Sequence, residues 1–359
     1  MIRLPRLRSV GVAAVLAMVA TLGLGSGAAA GSEIQLTETG SSLLYPLFNI
    51  WVPVYSKTHA GVTINTQSTG SGTGIADALN GTVEIGSSDA YMPTAQMQQD
   101  PNILNIPLAI SAQQVMYNLP GVSSGVHLHL SGAVLALIYE GKVTNWNDPT
   151  IQKLNPGVSL PNFPIVPVHR ADGSGDTFLF TQYLSFSTRS WSKAVSYGTS
   201  VSWPSVQGSV TGVGNGGIVQ ELVNTPGSVG YVGISWLSQA LQDHLGEAAV
   251  ENRAGRFLLP TSATIAAAAQ ARVKQTPADE RISLILAPGV NSYPIINFEY
   301  AIVSRAQPSS QVAAALRTFL IWAVNPNEGN SAKFLTQVHF LPLPANVLPL
   351  STKQIREIK

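Results

Sequence analysis

The sequence predicts an α/β protein of two lobes, and three observations carry that expectation. Strand-like segments, Gly/Ser turns and helix-like segments alternate along the chain with short connections, as they do where helices cover a sheet. The chain has 359 residues, more than one ordinary core of roughly 150 residues would use. Two stretches, residues 105–112 and 287–294, read as crossings between lobes, the second around Pro288-Gly289. If both cross, one lobe holds residues 31–108 with 294–359, built from both ends of the chain, and the other holds residues 109–293. No block recurs at a fixed period, which argues against a repeat architecture.

The elements follow in order. Ile34–Leu36 reads as a strand before a Gly-Ser-Ser turn. Leu44, Leu47, Phe48, Trp51 and Tyr55 then fall on one helical face. Pro46 suits the first turn of that helix, and Pro53 should kink or end it. Val62–Thr66 alternates as a strand, Gly70–Gly74 is a turn, and Ile75–Leu79 opens a short helix. Val83–Gly86 is a further strand running into Ser87-Ser88-Asp89. Gln114–Leu119 reads as a strand, Ser131–Tyr139 as a capped helix, Ile165–Arg170 as a strand and Asp176–Leu184 as a helix. Thr261–Val273 is an Ala-rich helix and Ile295–Ser304 an apolar strand. Ser309 or Ser310 caps a helix whose Val312, Leu316, Phe319, Leu320 and Ala323 face a core.

Residues 1–30 carry Arg3, Arg6 and Arg8, an uncharged run from Ser9 to Leu24, and a small-residue end at Ala28-Ala29-Ala30. That is the plan of a secretory signal peptide cleaved before Gly31. The alternative, a spanning anchor, is disfavoured because Gly11, Gly23, Gly25 and Gly27 dilute the run. Removing those arginines leaves 17 basic residues against 19 acidic ones. With no Lys/Arg run there is no electrostatic footprint for nucleic acid. Only 11% of the chain is charged and 45% is hydrophobic, so the interior is large and the surface leans on small polar residues. The absence of cysteine excludes disulfides, thiolate chemistry, cysteine-held metal and a thiol-linked lipid anchor.

Four segments place small hydroxyl residues and glycines between a strand and a helix: Gly40–Leu43, Gly70–Gly74, Gly86–Asp89 and Arg170–Thr177. Any one of them reads as ordinary capping. Four together, one with an arginine, point to a shared oxyanion cradle built from helix N-termini and hydroxyl groups. No P-loop lysine or dinucleotide fingerprint is present. His169, Asp172 and Ser174 lie close in sequence, but no G-x-S-x-G elbow surrounds Ser174, and triad members normally converge from distant segments. There is no HExxH pair; His127 and His129 alternate as residues decorating one strand face.

These motifs resemble the phosphate-binding proteins of bacterial high-affinity phosphate ABC uptake systems, the Pst type. The resemblance rests on Arg170-Ala171-Asp172-Gly173-Ser174-Gly175, Thr69-Gly70-Ser71-Gly72, Ile85-Gly86-Ser87-Ser88-Asp89-Ala90 and the stretch Gly141–Leu160. It covers nearly the whole mature chain and is closest to the actinobacterial branch. It implies a type II periplasmic-binding-protein fold of two lobes, each a mixed β-sheet flanked by helices, with the ligand in the interlobe cleft. It further implies a monomeric carrier of inorganic phosphate that serves a membrane-embedded ABC permease, without metal, cofactor or catalysis. The ligand set carried over is Ser42 and the Leu43 amide, Ser71, Asp89, Arg170, Ser174, the Gly175 amide and Asp176, with Asp172 orienting the arginine. The family's aromatic is replaced by Leu43, which leaves only a main-chain role there. Asp176 stands where the family commonly has Thr or Ser: it either brings a second carboxylate to the anion or turns away to complement its helix dipole. The resemblance also implies a protein outside the cytoplasmic membrane, in the periplasm or envelope space or secreted; family members from single-membrane cells are usually lipoproteins, and no cysteine serves here. Two rivals stand beside this reading, a secreted phosphate-ester hydrolase and a receptor for sulfate, molybdate or another tetrahedral oxyanion. Asp89 argues against the second, because an ionised acceptor is left unpaired against an unprotonated dianion.

Overall fold

The computed structural model describes residues 33–359, so the predicted leader and its cleavage point lie outside the described residues. Twelve strands occur among them. In chain order they are β1 (Ile34–Gly40), β2 (Val62–Ser68), β3 (Ile85–Ser88), β4 (Ile103–Asn118), β5 (His129–Leu130) and β6 (Val166–Arg170), followed by β7 (Val210–Gly212), β8 (Ser228–Gly233), β9 (Gly246–Glu247), β10 (Ala249–Glu251), β11 (Phe257–Leu258) and β12 (Ile296–Ser304).

Two arrays with the same connectivity share the long strand β4. The first runs β2-β1-β3-β12-β4 and the second β7-β6-β8-β4-β9. In the first, β1 pairs parallel with β2 and β3, and β12 runs antiparallel to β3 and β4. In the second, β6 pairs parallel with β7 and β8, and β4 runs antiparallel to β8 and β9. This repeated order, with helices on the sheet faces, is the two-lobed periplasmic-binding-protein architecture of type II. The carboxyl ends of β1, β2 and β3 and of β6 and β7 each run into a helix, and in open α/β sheets those ends are where ligands bind.

β4 corrects the sequence reading. The strand was expected only from Gln114; it instead starts at Ile103 and takes in residues 105–112, pairing first with β12 and then with β8, so the stretch expected to cross is itself part of the strand. Fifteen of its sixteen residues are buried, so the strand is covered on both faces and needs no alternation of polar residues. Its irregularity is local. Between Glu299, opposite Ala109, and Tyr300, opposite Pro107, the register slips and Leu108 is left without a partner, next to a proline that has no N–H to give the ladder.

The helix Tyr45–Thr58 also corrects an expectation, since it continues through Pro53. The carbonyl that Pro53 leaves without a donor belongs to exposed Asn49, on the solvent side. Its inner face, Leu47, Phe48, Trp51 and Tyr55, remains regular and packs on the helix Ser310–Val324, with Tyr55 edge-on to Phe319 at 5.0 Å and Trp322 at 5.3 Å. The Trp51 indole N–H donates to the Gly329 carbonyl at 2.8 Å. Capping follows the sequence: Ser131, Ser174, Thr261 and Ser309 each accept an amide of their helix's first turn. The helix after β2 starts at Ser71, four residues before the expected Ile75, because Gly70 takes a φ of 90° and turns the chain directly into it.

Candidate functional site

Each predicted side chain stands at a strand-to-helix junction. Ser41 and Ser42 follow β1, Ser71 opens the helix Ser71–Asn80, and Asp89 follows β3. Arg170 ends β6, Ser174 caps the helix Gly175–Ser187, and Asp176 lies in its first turn. All are buried, Arg170 included, and only Asp172 keeps partial exposure. The two groups meet across the cleft. The Gly72 amide donates to the Gly173 carbonyl at 2.8 Å, and Asn215, at the start of the helix Gly214–Asn224 behind β7, donates to Ser42 Oγ from both its backbone and its side-chain amide at 3.0 Å. Ser235 Oγ donates to the Leu43 carbonyl at 2.7 Å, and the Trp236 indole donates to the Ser42 carbonyl at 2.9 Å. Gly175 requires its lack of a side chain here: a Cβ would fall 2.6 Å from both Ser71 Oγ and Asp89 Cβ.

Arg170 is the single cation of the cradle and is held between two acids. Nε donates to Asp172 Oδ1 at 2.8 Å, Nη2 to Asp172 Oδ2, and Nη1 to Asp176 Oδ2 at 2.8 Å. The Arg170 amide donates to the Tyr231 hydroxyl at 3.0 Å, which also pairs with Thr177 Oγ1 at 2.7 Å, so both backbone and head group are fixed. A guanidinium has five N–H groups, and three are committed to the acids. One N–H on Nη1 and one on Nη2 remain for an anion, a two-point grip suited to a tetrahedral oxyanion.

The acids are unlike one another. Burial opposes the charge of Asp172, but the two-point contact with Arg170 outweighs it and holds this carboxyl below its ordinary value. Asp176 is more deeply enclosed; burial, and then the charge of Asp89, push its carboxyl up to about 7, although Arg170, Gln113 and Asn215 all bond to it. Burial also raises Asp89, against the pull of its hydrogen bonds and of Arg170. Ser41 Oγ donates to Asp89 Oδ1, and Ser71 Oγ to Oδ2 at 3.3 Å. For Arg170 burial works against the charge, but Asp172 and Asp176 prevail and keep it a permanent cation.

The structure brings Ser42, Ser71, Asp89, Arg170, Ser174, Gly175 and Asp176 to one place. Asp176 turns inward, into contact with Arg170, rather than out to solvent. The Leu43 amide is engaged by Ser41 Oγ at 3.1 Å, and Ser174 Oγ accepts the Thr177 amide at 3.3 Å. His169, Asp172 and Ser174 do not converge. The His169 ring stacks on Trp203 at 4.5 Å, while Asp172 serves Arg170. Among the described residues no group of three His, Asp or Glu is arranged to hold a metal ion.

Three participants escaped the sequence reading. Ser41, rather than its neighbour Ser42, reaches Asp89. Asn215 ties the helix behind β7 to Ser42 and Asp176, and a fifth glycine-rich junction, Gly212–Gly217, marked it. Glu299, alone among the apolar residues of β12, lies against Asp89; a single acid inside so apolar a strand was the available signal.

Known proteins resemble this chain over most of its length. It matches the family described as PBP superfamily domain over residues 26–327. It is 34% identical over 316 residues to the phosphate-binding protein PstS of Xylella fastidiosa, covering 88% of this chain and 83% of that one. With the phosphate-binding protein PstS3 of Mycobacterium bovis it shares 32% over 331 residues, covering 88% and 84%. The crystal structure of the phosphate-binding protein of Stenotrophomonas maltophilia superposes with a TM-score of 0.66 at 18% identity, covering 89% of this chain and 93% of that one, which supports the fold.

Proposed function

The chain belongs to the PBP superfamily and, within it, to the PstS family of phosphate-binding proteins, and from that premise we propose that it captures inorganic phosphate outside the cytoplasmic membrane and hands it to an ABC-type import permease. The observation that carries this reading is the Arg170 guanidinium, buried yet with two N–H groups uncommitted, facing the buried acceptor Asp89 across a cleft of hydroxyl and amide donors. Arg170 supplies charge, Ser42, Ser71 and Ser174 supply hydroxyl groups, and the Gly175 amide completes the shell; the Leu43 amide, bonded to Ser41 Oγ at 3.1 Å, would have to exchange that partner to join it. Asp89 accepts the proton that phosphate carries and sulfate lacks. Asp172 orients the guanidinium, and Asp176 adds a second carboxyl beside the ligand.

The lobes are assigned to residues 31–108 with 294–359 and to 109–293; the change of β4 partners from β12 to β8, between Ala112 and Gln113, supports a crossing within this strand. Residues 1–30 act as a cleaved export leader, and the mature chain works as a monomeric binding protein, not an enzyme. A place in the actinobacterial branch rests on the motifs alone, since the Xylella and Mycobacterium relatives lie within two percentage points of identity.

Calorimetric titration with phosphate and sulfate side by side tests the reading. Wild type should bind phosphate tightly and sulfate weakly or not at all. Arg170→Ala should lose roughly 2–5 kcal/mol of phosphate binding, because truncation leaves the bound anion buried without its cation and beside Asp176. Wild-type affinity within about threefold in that variant removes Arg170 from the site.

A further inference from the structure

Beside Asp89 lies a carboxyl to which the phosphate reading gives no role. Glu299 is fully buried and is the single charged residue of β12. β12 pairs with the end of β3, Tyr300 opposite Ser88, which sets Glu299 next to Asp89. Its Oε1 accepts from Ser111 Oγ and, at 2.9 Å, from Asn297 Nδ2; the same Asn297 amide reaches the Asp89 carbonyl at 3.3 Å. Its Oε2 receives no hydrogen bond from any donor among the described residues. The side chain beside it is that of Asp89, set there by the strand register and by the Asn297 amide that the two residues share. Two carboxylates are acceptors only, so a contact between them requires a proton.

We propose that Glu299 is a positioning residue of the anion site: it keeps that proton, donates a hydrogen bond through it to Asp89, and so leaves Asp89 an ionised acceptor that takes phosphate's O–H and rejects anions without one. The inference rests on the phosphate reading and assigns a determinant of its selectivity. Asp89 is the member of the pair suited to hold the charge. It receives Ser41 and Ser71 and feels Arg170 across the cleft, whereas burial, and then the neighbouring charge of Asp89, drive the Glu299 carboxyl well above its ordinary value. The remaining charge facing the pair, Asp176, works the other way, raising the cost of ionising Asp89. Without a donor at 299, burial and Asp176 together favour a proton on Asp89 itself. Asp89 then becomes a donor, and sulfate is no longer refused.

The test combines calorimetry with infrared spectroscopy on the full mature chain. Phosphate and sulfate are titrated into wild type, Glu299→Ala and Glu299→Gln near neutral pH. The alanine variant should narrow the phosphate-over-sulfate affinity ratio by about tenfold or more, the scale of a hydrogen bond to a charged group. The glutamine variant should recover most of that ratio, because its amide donates to Asp89 while its carbonyl accepts from Ser111 and Asn297. A wild-type-minus-Glu299→Gln infrared difference spectrum, recorded without anion, should contain the C=O stretch of one neutral carboxylic acid. A difference spectrum without that band, or a folded glutamine variant as unselective as the alanine one, overturns the proposal. The spectrum needs no ligand, so it reads Glu299 even if Glu299→Ala does not fold. Failure of wild type to bind phosphate would instead count against the underlying function.

Discussion

Replacing Asp176 with asparagine should make phosphate binding less sensitive to alkaline pH, and the structure gives the size of the effect. Asp176 is wholly buried, with Oδ2 bonded by Arg170 Nη1 at 2.8 Å and Asn215 Nδ2 at 2.7 Å, and Oδ1 by Gln113 Nε2 at 3.2 Å. Asparagine keeps this shape. Its carbonyl can serve Arg170 and Asn215, and its amide can face Gln113, whose Oε1 has no partner and would accept after a flip of that amide, at the loss of the 2.9 Å bond from Gln113 Nε2 to the Asp176 backbone carbonyl. What disappears is a charge. An anion gripped by the free N–H groups of Arg170 would lie about 6 Å from that carboxylate, where repulsion at an effective dielectric constant of about 20 amounts to roughly 3 kcal/mol, or about a hundredfold in affinity. The Asp176 carboxyl is raised to about 7, so it is protonated at mildly acidic pH and charged at alkaline pH, and the repulsion grows as pH rises through neutrality. Calorimetric titrations of phosphate at about pH 5.5, 7 and 8.5 should therefore give similar affinities for the two proteins at the acidic end, with the variant ahead by ten- to a hundredfold at the alkaline end. Parallel pH profiles would refute the reasoning, as would a variant weakened by more than about tenfold throughout; the second result would mean that the charge of Asp176 serves to hold Arg170.

Two further outcomes follow from local geometry. Gly175→Ala places a methyl group 2.6 Å from Ser71 Oγ and Asp89 Cβ, so closure of the cleft should cost about 1–3 kcal/mol and phosphate affinity should drop up to about a hundredfold with little change in melting temperature; unaltered affinity by calorimetry would show that the lobes do not close on this contact. Glu280 is buried, bonded by Ser351 Oγ at 2.8 Å and Gln354 Nε2 at 2.6 Å, and burial raises its carboxyl to about 8. The native state therefore keeps a proton that the unfolded chain releases near its ordinary value, and stability should fall by up to about 1.4 kcal/mol per pH unit from that group as pH climbs toward 8. Glu280→Gln should flatten the fall between about pH 6 and 8 in denaturant titrations, and equal slopes in the two proteins would show that Glu280 ionises freely.

Local rules governed what the order of residues could reveal. The strands and helices around the four glycine-rich junctions, the serine and threonine caps, the turn glycines and the Arg170–Asp176 segment were legible, because a cap and its helix lie within a few residues of each other and their chemistry is contained in that window. Arg170 and Asp172 could be paired in advance for the same reason: two residues apart, they meet wherever the segment goes. Tertiary structure decided the rest. Whether Asp176 faces in or out depends on Asn215 and Gln113, which arrive from other elements. That Ser41 rather than Ser42 meets Asp89, and that Glu299 lies beside it, depends on register between strands, with Asn297 and Asp89 separated by 208 residues. Sheet register places every second residue on one face and is fixed only when the strands pair, so no local pattern around position 299 announces its partner. The unbroken β4 has the same origin: the stretch expected to cross is itself strand, because β12 and then β8 take up its backbone N–H and C=O groups.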